Sequence, residues 1–420
     1  MLRVFTGILL LLIASPTVSA REETPQLKRG TWFAWLDGPG GAITFELQIR
    51  QTRDKIDAWI VNGEESVPIP EVRFENDEFV FDFVHYNSIL RAKSNASGTD
   101  LQGTWKRVRG HNKWTVMDFH AHWTPPETMP KPAQTGRRLN RSPFREALML
   151  KGKWAVKFDS SSDPALAIFD VTSTGRITGT FLTTTGDYRY LGGIFEQRAL
   201  TLSVFDGAHA FLFRAELGDD AVLRGDFWSR DTWHETWTAH QDRNARLPDA
   251  FQQTKWNDDA SLADLKFRDL AGAYHSPAEE QYTGKARIIE VFGTWCPNCN
   301  DASAYLKELD ETYRGRGLSI LGLAFEMTGE FELDAKQVKR YVEYHHIDYP
   351  VLVAGISDKA AATKAFPVLD KVRSFPTFIF LDGQNNVKAI YTGFSGPATG
   401  KAYDKLREDF ERIIEQMLEE

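Results

Sequence analysis

Two side chains carry the reactive chemistry of this chain. Cys296 and Cys299 are its only cysteines, three apart in Gly293-Thr294-Trp295-Cys296-Pro297-Asn298-Cys299. Upstream, Arg287-Ile288-Ile289-Glu290-Val291-Phe292 is a short apolar run holding one carboxylate, the pattern of a buried strand. Downstream, Ala302, Tyr305, Leu306 and Leu309 recur at helical spacing. The pair therefore falls where a strand ends and a helix begins. The free N–H groups and dipole of a helix start favour negative charge, so a cysteine there becomes a thiolate more easily. Pro297 takes the first helical position, where its missing N–H costs nothing. Cysteines at i and i+3 share a helix face, close enough for a disulfide. The chemistry this allows is exchange: the Cys296 thiolate attacks a substrate disulfide and Cys299 resolves the mixed disulfide.

Glu290 lies six residues before Cys296, inside the apolar strand. A carboxyl buried beside a dithiol has a raised pKa and can take the proton of the second thiol; an edge strand would instead turn it to solvent. A zinc site is the competing use of the cysteines. It needs two further ligands, and there is no second Cys-x-x-Cys. His345-His346 is the local candidate and reads as the end of a helix, so no metal is expected. The remaining elements predicted after residue 262 are strand 287–293, helix 297–314, strand 318–325, helix 334–347, strand 349–353, helix 357–372, strands 377–381 and 386–392 around an Asp382-Gly383 hairpin turn, and helix 399–420.

Trp295-Cys296-Pro297-Asn298-Cys299 after a strand, with Ser374-Phe375-Pro376-Thr377 near the end, resembles the thioredoxin superfamily. Within it, residues 262–420 resemble the TlpA/ResA-like periplasmic thiol-disulfide oxidoreductases, and the helix and strand at 334–353 match their extra insertion. The resemblance implies a cis Phe375–Pro376 bond whose backbone faces the cysteines, where a substrate strand can pair. It also implies supporting roles for Trp295, Pro297, Asn298 and Phe375. Thioredoxins carry an aspartate at the place of Glu290, and protein disulfide isomerases a glutamate; ResA-like proteins use an acid after the next strand, near Glu326. Either acid could serve, and Glu290 is preferred. A peroxidase of the peroxiredoxin kind would carry Thr-x-x-Cys, whereas Thr294 stands two before Cys296. TlpA-like reductases mostly have Pro second between the cysteines. Here Pro297 is first, as in glutaredoxins and the oxidant DsbA. Asn298 cannot become a cation and so stabilises a thiolate less than a protonated histidine, which favours a reductase or moderate exchanger over an oxidant or isomerase. By the same resemblance the partners are protein thiols and disulfides, with an upstream electron donor such as a membrane thiol transporter; one implied substrate class is the apocytochrome c Cys-x-x-Cys-His site. No cofactor beyond the Cys296–Cys299 disulfide is expected.

The rest of the chain must position or serve this centre. Its 420 residues allow two or three domains. A net charge of −8 argues against nucleic acid as a partner. Residues 1–20 have the form of a secretory signal: Arg3, an apolar run from Val4 to Ala14, and Val18-Ser19-Ala20 as a cleavage site. The apolar run is too short to span a bilayer. No cysteine follows to take a lipid, and no later stretch is long enough to cross a membrane. The expectation is a soluble periplasmic or cell-envelope protein, cleaved at Ala20.

Residues 28–124 alternate with period two, as at 43–49 and 78–84, between Gly, Asn and Asp clusters, and predict an antiparallel all-β unit. Residues 125–148 form a proline-rich connector with the basic run Arg137-Arg138-Leu139-Asn140-Arg141. The β pattern then returns over 149–241. Gly30-Thr31-Trp32 is echoed by Gly152-Lys153-Trp154, and Leu101-Gln102-Gly103 by Leu223-Arg224-Gly225, at one offset of about 122 residues, the mark of a repeat. Each unit is expected to be a small barrel or sandwich of about seven or eight strands. Trp32, Trp105, Trp154, Trp228, Trp233 and Trp237 either line a ligand groove or fill cores. His120 and His122 share a strand face, without an evident third ligand. The repeats could be a polypeptide- or glycan-binding module that the redox domain serves. Residues 242–261 read as a polar linker, which predicts separable domains.

Overall fold

The computed structural model describes residues 25–53, 55–125 and 141–419. The signal-like segment 1–20 and most of the basic run lie outside these residues.

The two repeats are antiparallel sheets of nine strands each, rather than seven or eight. The first runs from Gly30–Gly38 to Lys113–Trp123, and the second from Gly152–Phe158 to Trp233–Gln241. In the second, strand Ala165–Val171 pairs with Ile177–Thr183 as well as with Gly152–Phe158, which closes the sheet into a barrel. Alternation explains the cores. Strand Ile56–Asn62, for example, buries every second residue. The offset reappears in atomic detail: Trp32 donates its indole N–H to Lys28 O at 3.0 Å, and Trp154 donates to Leu150 O at 2.8 Å. Trp32, Trp105, Trp154 and Trp237 fill the cores. Trp228 is half-buried and stacks on His234, while Trp233 is exposed. Replacing Trp32 or Trp154 with Phe removes the same bond from each repeat, and each change is expected to cost about 1–2 kcal/mol. Urea midpoints followed by fluorescence check this; a cost in only one repeat would mean that the shared bond is not doing the same job in both.

His120 and His122 have separate acid partners. His120 Nε2 meets Asp37 at 3.1 Å, with its ring stacked on Trp35, and His122 Nδ1 meets Asp100 at 2.6 Å. Among the described residues no group of three His, Cys, Asp or Glu could hold a metal.

The connector is not featureless to its end. Arg141–Ala147 is a helical turn, and Ala147 and Leu150 enter the core of the second repeat. The supposed linker is likewise partly structured. Phe251, Trp256 and Ala260 pack on the C-terminal core, and Thr254 is buried against Thr392. The composition is polar, but its few aromatics are the residues that dock.

The C-terminal domain has a seven-stranded mixed sheet. An interior strand, Ala286–Phe292, runs parallel to Leu318–Glu326 and antiparallel to Thr377–Asp382. The helices are Pro297–Tyr313, Phe331–His345, Lys359–Ala365 and Lys401–Glu419. Two differ from expectation. The second begins three residues before Asp334, whose carboxylate accepts from Thr328 N and Gly329 N in the preceding turn; it thus sits in the first turn, where acids favour the dipole. The third stops at Ala365 instead of 372. Pro367 excludes helical backbone at Phe366 (φ −126°, ψ 65°), and the chain beyond sends Val368, Leu369 and Val372 into the core.

Candidate active site

Cys296 is the N-cap of helix Pro297–Tyr313, with Pro297 in its first turn. Its Sγ accepts from Cys299 N at 3.4 Å and donates to Phe375 O at 3.3 Å. Both cysteines are free thiols. The Phe375–Pro376 bond is cis, and the Cys296–Phe375 contact joins two motifs some eighty residues apart in sequence. Gly293 makes the approach feasible: a Cβ there would lie 2.2 Å from Trp295 Nε1, which donates instead to Phe325 O at 2.8 Å.

Cys299 is 0% exposed, and burial pushes its pKa well up, with Cys296 beside it adding to the effect. Cys296 is 6% exposed. The order of access fits Cys296 as the outer sulfur.

Both candidate acids are buried near this centre, in different settings. Glu290 lies in strand Ala286–Phe292, opposite Gly322 and Phe378, and is fully buried. Neither of its carboxylate oxygens has a hydrogen-bond partner among the described residues. Burial, then the negative charge of Cys296, holds its pKa well above the carboxylate range. Glu326 ends the next strand and accepts from Thr294 N at 2.9 Å and Thr294 Oγ1 at 2.8 Å. Burial raises it to about 7 despite these bonds. Glu326 therefore braces the turn that carries the cysteines, whereas the Glu290 carboxyl is held by no hydrogen bond among the described residues.

The pKa of Glu326 lies higher in the folded than in the unfolded state. The folded protein then binds more protons between pH 4.5 and 7, and stability falls as pH rises through that window. Glu326→Gln is expected to abolish this loss, about 3 kcal/mol by pH 8, and to leave stability near pH 4 unchanged. Unfolding midpoints across pH test it; parallel profiles for the two proteins would show that Glu326 does not titrate in the window.

Sequence patterns alone did not show what covers the centre. Trp295 is half-buried, and Pro297, Asn298, Phe375 and Pro376 are buried. Arg107, from the first repeat, donates to Trp295 O and to Ala208 O. Arg189, from the second, donates to Pro297 O at 3.3 Å and pairs with Asp301 at 2.5 Å, with Glu65 of the first repeat, and with Asp206 at 3.4 Å. Asn298 Nδ2 donates to Asp187 at 3.3 Å and to Phe394 O at 3.2 Å. Ser374 Oγ donates to Thr185 O at 2.7 Å. Gly186 has φ +152°, and a Cβ on it would meet Asn298 Nδ2 at 2.6 Å, so the loop must be bare there. Lone charged residues in a β pattern carry no sign of such a role; only their burial in the folded chain reveals it.

Strand, Cys-x-x-Cys helix start and cis-proline loop together define a thiol–disulfide exchange centre on a thioredoxin-like domain. Residues 260–406 match the Redoxin family. The chain is 27% identical over 158 residues to the thiol-disulfide oxidoreductase ResA of Geobacillus kaustophilus, covering 38% of this chain and 76% of that protein. It is 28% identical over 134 residues to ResA of Geobacillus thermodenitrificans, covering 32% and 68%. A solved thiol:disulfide interchange protein of Chlorobium tepidum aligns at 26% identity and a TM-score of 0.27, covering 37% of this chain and 92% of that one. The Redoxin match leaves both β repeats outside it.

Proposed function

We propose that this protein is an exported protein disulfide oxidoreductase that works as a reductase through Cys296 and Cys299. The observation that carries the reading is Cys296 at a helix N-cap, its sulfur held between Cys299 N and Phe375 O beside the cis proline. The redoxin domain and its likeness to ResA proteins support the oxidoreductase class.

The steps balance without a cofactor. The Cys296 thiolate attacks one sulfur of a substrate disulfide, and the other leaves as a thiolate that takes a proton from water. Cys299 loses its proton and attacks Cys296 Sγ, releasing the second substrate thiol. Two electrons pass to the substrate, and a Cys296–Cys299 disulfide forms. An upstream dithiol, such as that of a membrane thiol transporter, returns the pair to the reduced form. Export follows from the signal-like segment 1–20; no described helix is long and apolar enough to cross a membrane.

Asn298 between the cysteines supports the direction, since it offers the thiolate no cation. The equilibrium potential against glutathione is therefore expected below about −200 mV, with reduction of insulin-type disulfides in the presence of a dithiol donor. A potential near −120 mV, with oxidation of reduced peptides, would make the protein an oxidant instead. A second reading assigns the repeats to binding a polypeptide or glycan. Exposed Trp114, with Lys106 Nζ 4.2 Å from its ring centroid, and exposed Trp233 favour it; each stands at the start of the last strand of its repeat.

A further inference from the structure

The exchange centre is built for attack on a substrate, yet it is shut off from one. We propose that the two β repeats form a hinged cover over the redoxin domain, latched by Arg189, and that a protein disulfide reaches Cys296 only when the cover swings away.

The residues that close the centre come from both repeats. The loop Thr185–Asp187 lies on Ser374, Asn298 and Gly396, and Asp187 accepts from Gly396 N at 2.6 Å. Arg107 and Arg189 hold the carbonyls of Trp295 and Pro297, on either side of the attacking cysteine. On the far side, Gln337 donates to Val84 O at 3.2 Å and His85 O at 2.8 Å, and His85 stacks on Tyr344 at 4.1 Å. No disulfide-bearing chain can lie along Phe375 and Pro376 while these contacts stand.

The apolar cores show which seams can part. Phe205, Ala208, Ala210 and Leu212 of the second repeat belong to the core of the first. Thr44–Ser203 and Asn62–Phe205 hydrogen bonds reinforce that join. The two repeats therefore move together. The core of the redoxin domain, by contrast, includes no residue of either repeat. Apart from the His85–Tyr344 stack, the contacts named across its seam with them are hydrogen bonds and ion pairs, which exchange for water at small net cost, unlike buried apolar surface. A cavity of about 580 Å³ opens along the seam between Leu166, Leu182, Leu247, Tyr391 and Phe394. The chain crosses from cover to domain once, through the segment 242–249, which is neither helix nor strand.

Arg189 is the latch because it joins all three parts at once: Glu65 in the first repeat, Asp206 in its own, and Asp301 and Pro297 O on the helix that carries the cysteines. Its side chain is 5% exposed. Removing it breaks the ties between the cysteine helix and both repeats and leaves its buried carboxylate partners without their cation.

The proposal rests on Cys296 being the exchange thiol, but access can be read apart from turnover. Reduced full-length protein is treated with iodoacetamide and with a polyethylene-glycol maleimide of several kilodaltons, and the labelled cysteine is found by peptide mapping. In the wild type the large reagent is expected to label Cys296 far more slowly than its ordinary thiol reactivity allows. Arg189→Met should raise that rate about 10- to 100-fold while Cys299, inside the domain core, stays protected. Asp301→Asn, which leaves Arg189 its other carboxylates, should act in the same direction with a smaller gain. Labelling of both cysteines together in Arg189→Met would report loss of fold, and Asp301→Asn then decides. Unhindered labelling of Cys296 in the wild type, or no change in Asp301→Asn, overturns the cover. A failure to reduce insulin with labelling behaviour as expected would instead count against the reductase reading alone.

Discussion

Cys299→Ser is expected to accumulate a stable mixed disulfide with a substrate protein, and Cys296→Ser to form none and to lose all exchange activity. The asymmetry comes from position. Cys296 caps the helix and is the sulfur beside Phe375 O at the cis-proline loop. Cys299 is one turn deeper, fully buried, with burial holding its proton firmly. On the proposed assignment the outer sulfur begins the reaction and the inner one releases the product. Removing the inner sulfur leaves the first covalent complex without an internal exit, so its lifetime should lengthen by orders of magnitude. Non-reducing gels and mass spectrometry of the trapped adduct check both halves. Adducts formed by Cys296→Ser through Cys299 would reverse the assignment, and adducts from neither protein would remove exchange as the chemistry.

Much of this centre was legible because it is local. Cys-x-x-Cys between an apolar run and a helical period needs no tertiary information, and Glu290 stood out as one carboxylate in that run. Pro376 was legible only through resemblance, since nothing in its own neighbourhood marks a bond that meets the cysteines. The repeats showed through Gly30–Trp32 and Gly152–Trp154, because each must bury the same indole against the same preceding carbonyl. What stayed hidden is of two kinds. Helix ends went astray where one residue decides them, as Pro367 does at Phe366. The cover went unseen because Arg107, Arg189, Asp187 and Glu65 are ordinary charged residues of β segments until folding brings them to the cysteines. Long-range polar contacts leave no periodicity to find, and the linker's polar composition argued for separate domains.

Glu290→Gln is expected to slow resolution of the mixed disulfide by about 10²-fold or more near pH 7, with the rate recovering at higher pH. Glu290 meets the needs of a proton acceptor in an uncommon way. Fully buried, and with both oxygens lacking hydrogen-bond partners among the described residues, it holds its proton well above the usual range. Part of that shift is the charge of Cys296. In the mixed disulfide Cys296 carries no charge, so that part vanishes and the carboxyl gives up its proton more readily. Burial, the larger cause, remains, but the carboxylate form is easier to reach at the step in which Cys299 must be deprotonated than before attack. Gln keeps the shape and cannot take the proton, leaving Cys299 to ionise unaided against its own burial. The stability change has the opposite sense. A carboxyl with a raised folded-state pKa binds more protons folded than unfolded above about pH 4.5, so it lowers stability as pH rises through that range. Glu290→Gln removes that loss, and the variant should be the more stable protein at pH 7 and no different at pH 4. Stopped-flow release of substrate thiol from a preformed mixed disulfide, measured against pH, decides the kinetic half. A profile identical to the wild type, in a variant that is nonetheless more stable at pH 7, would show Glu290 to be buried beside the dithiol without serving it, and would move the proton to Glu326 or to water.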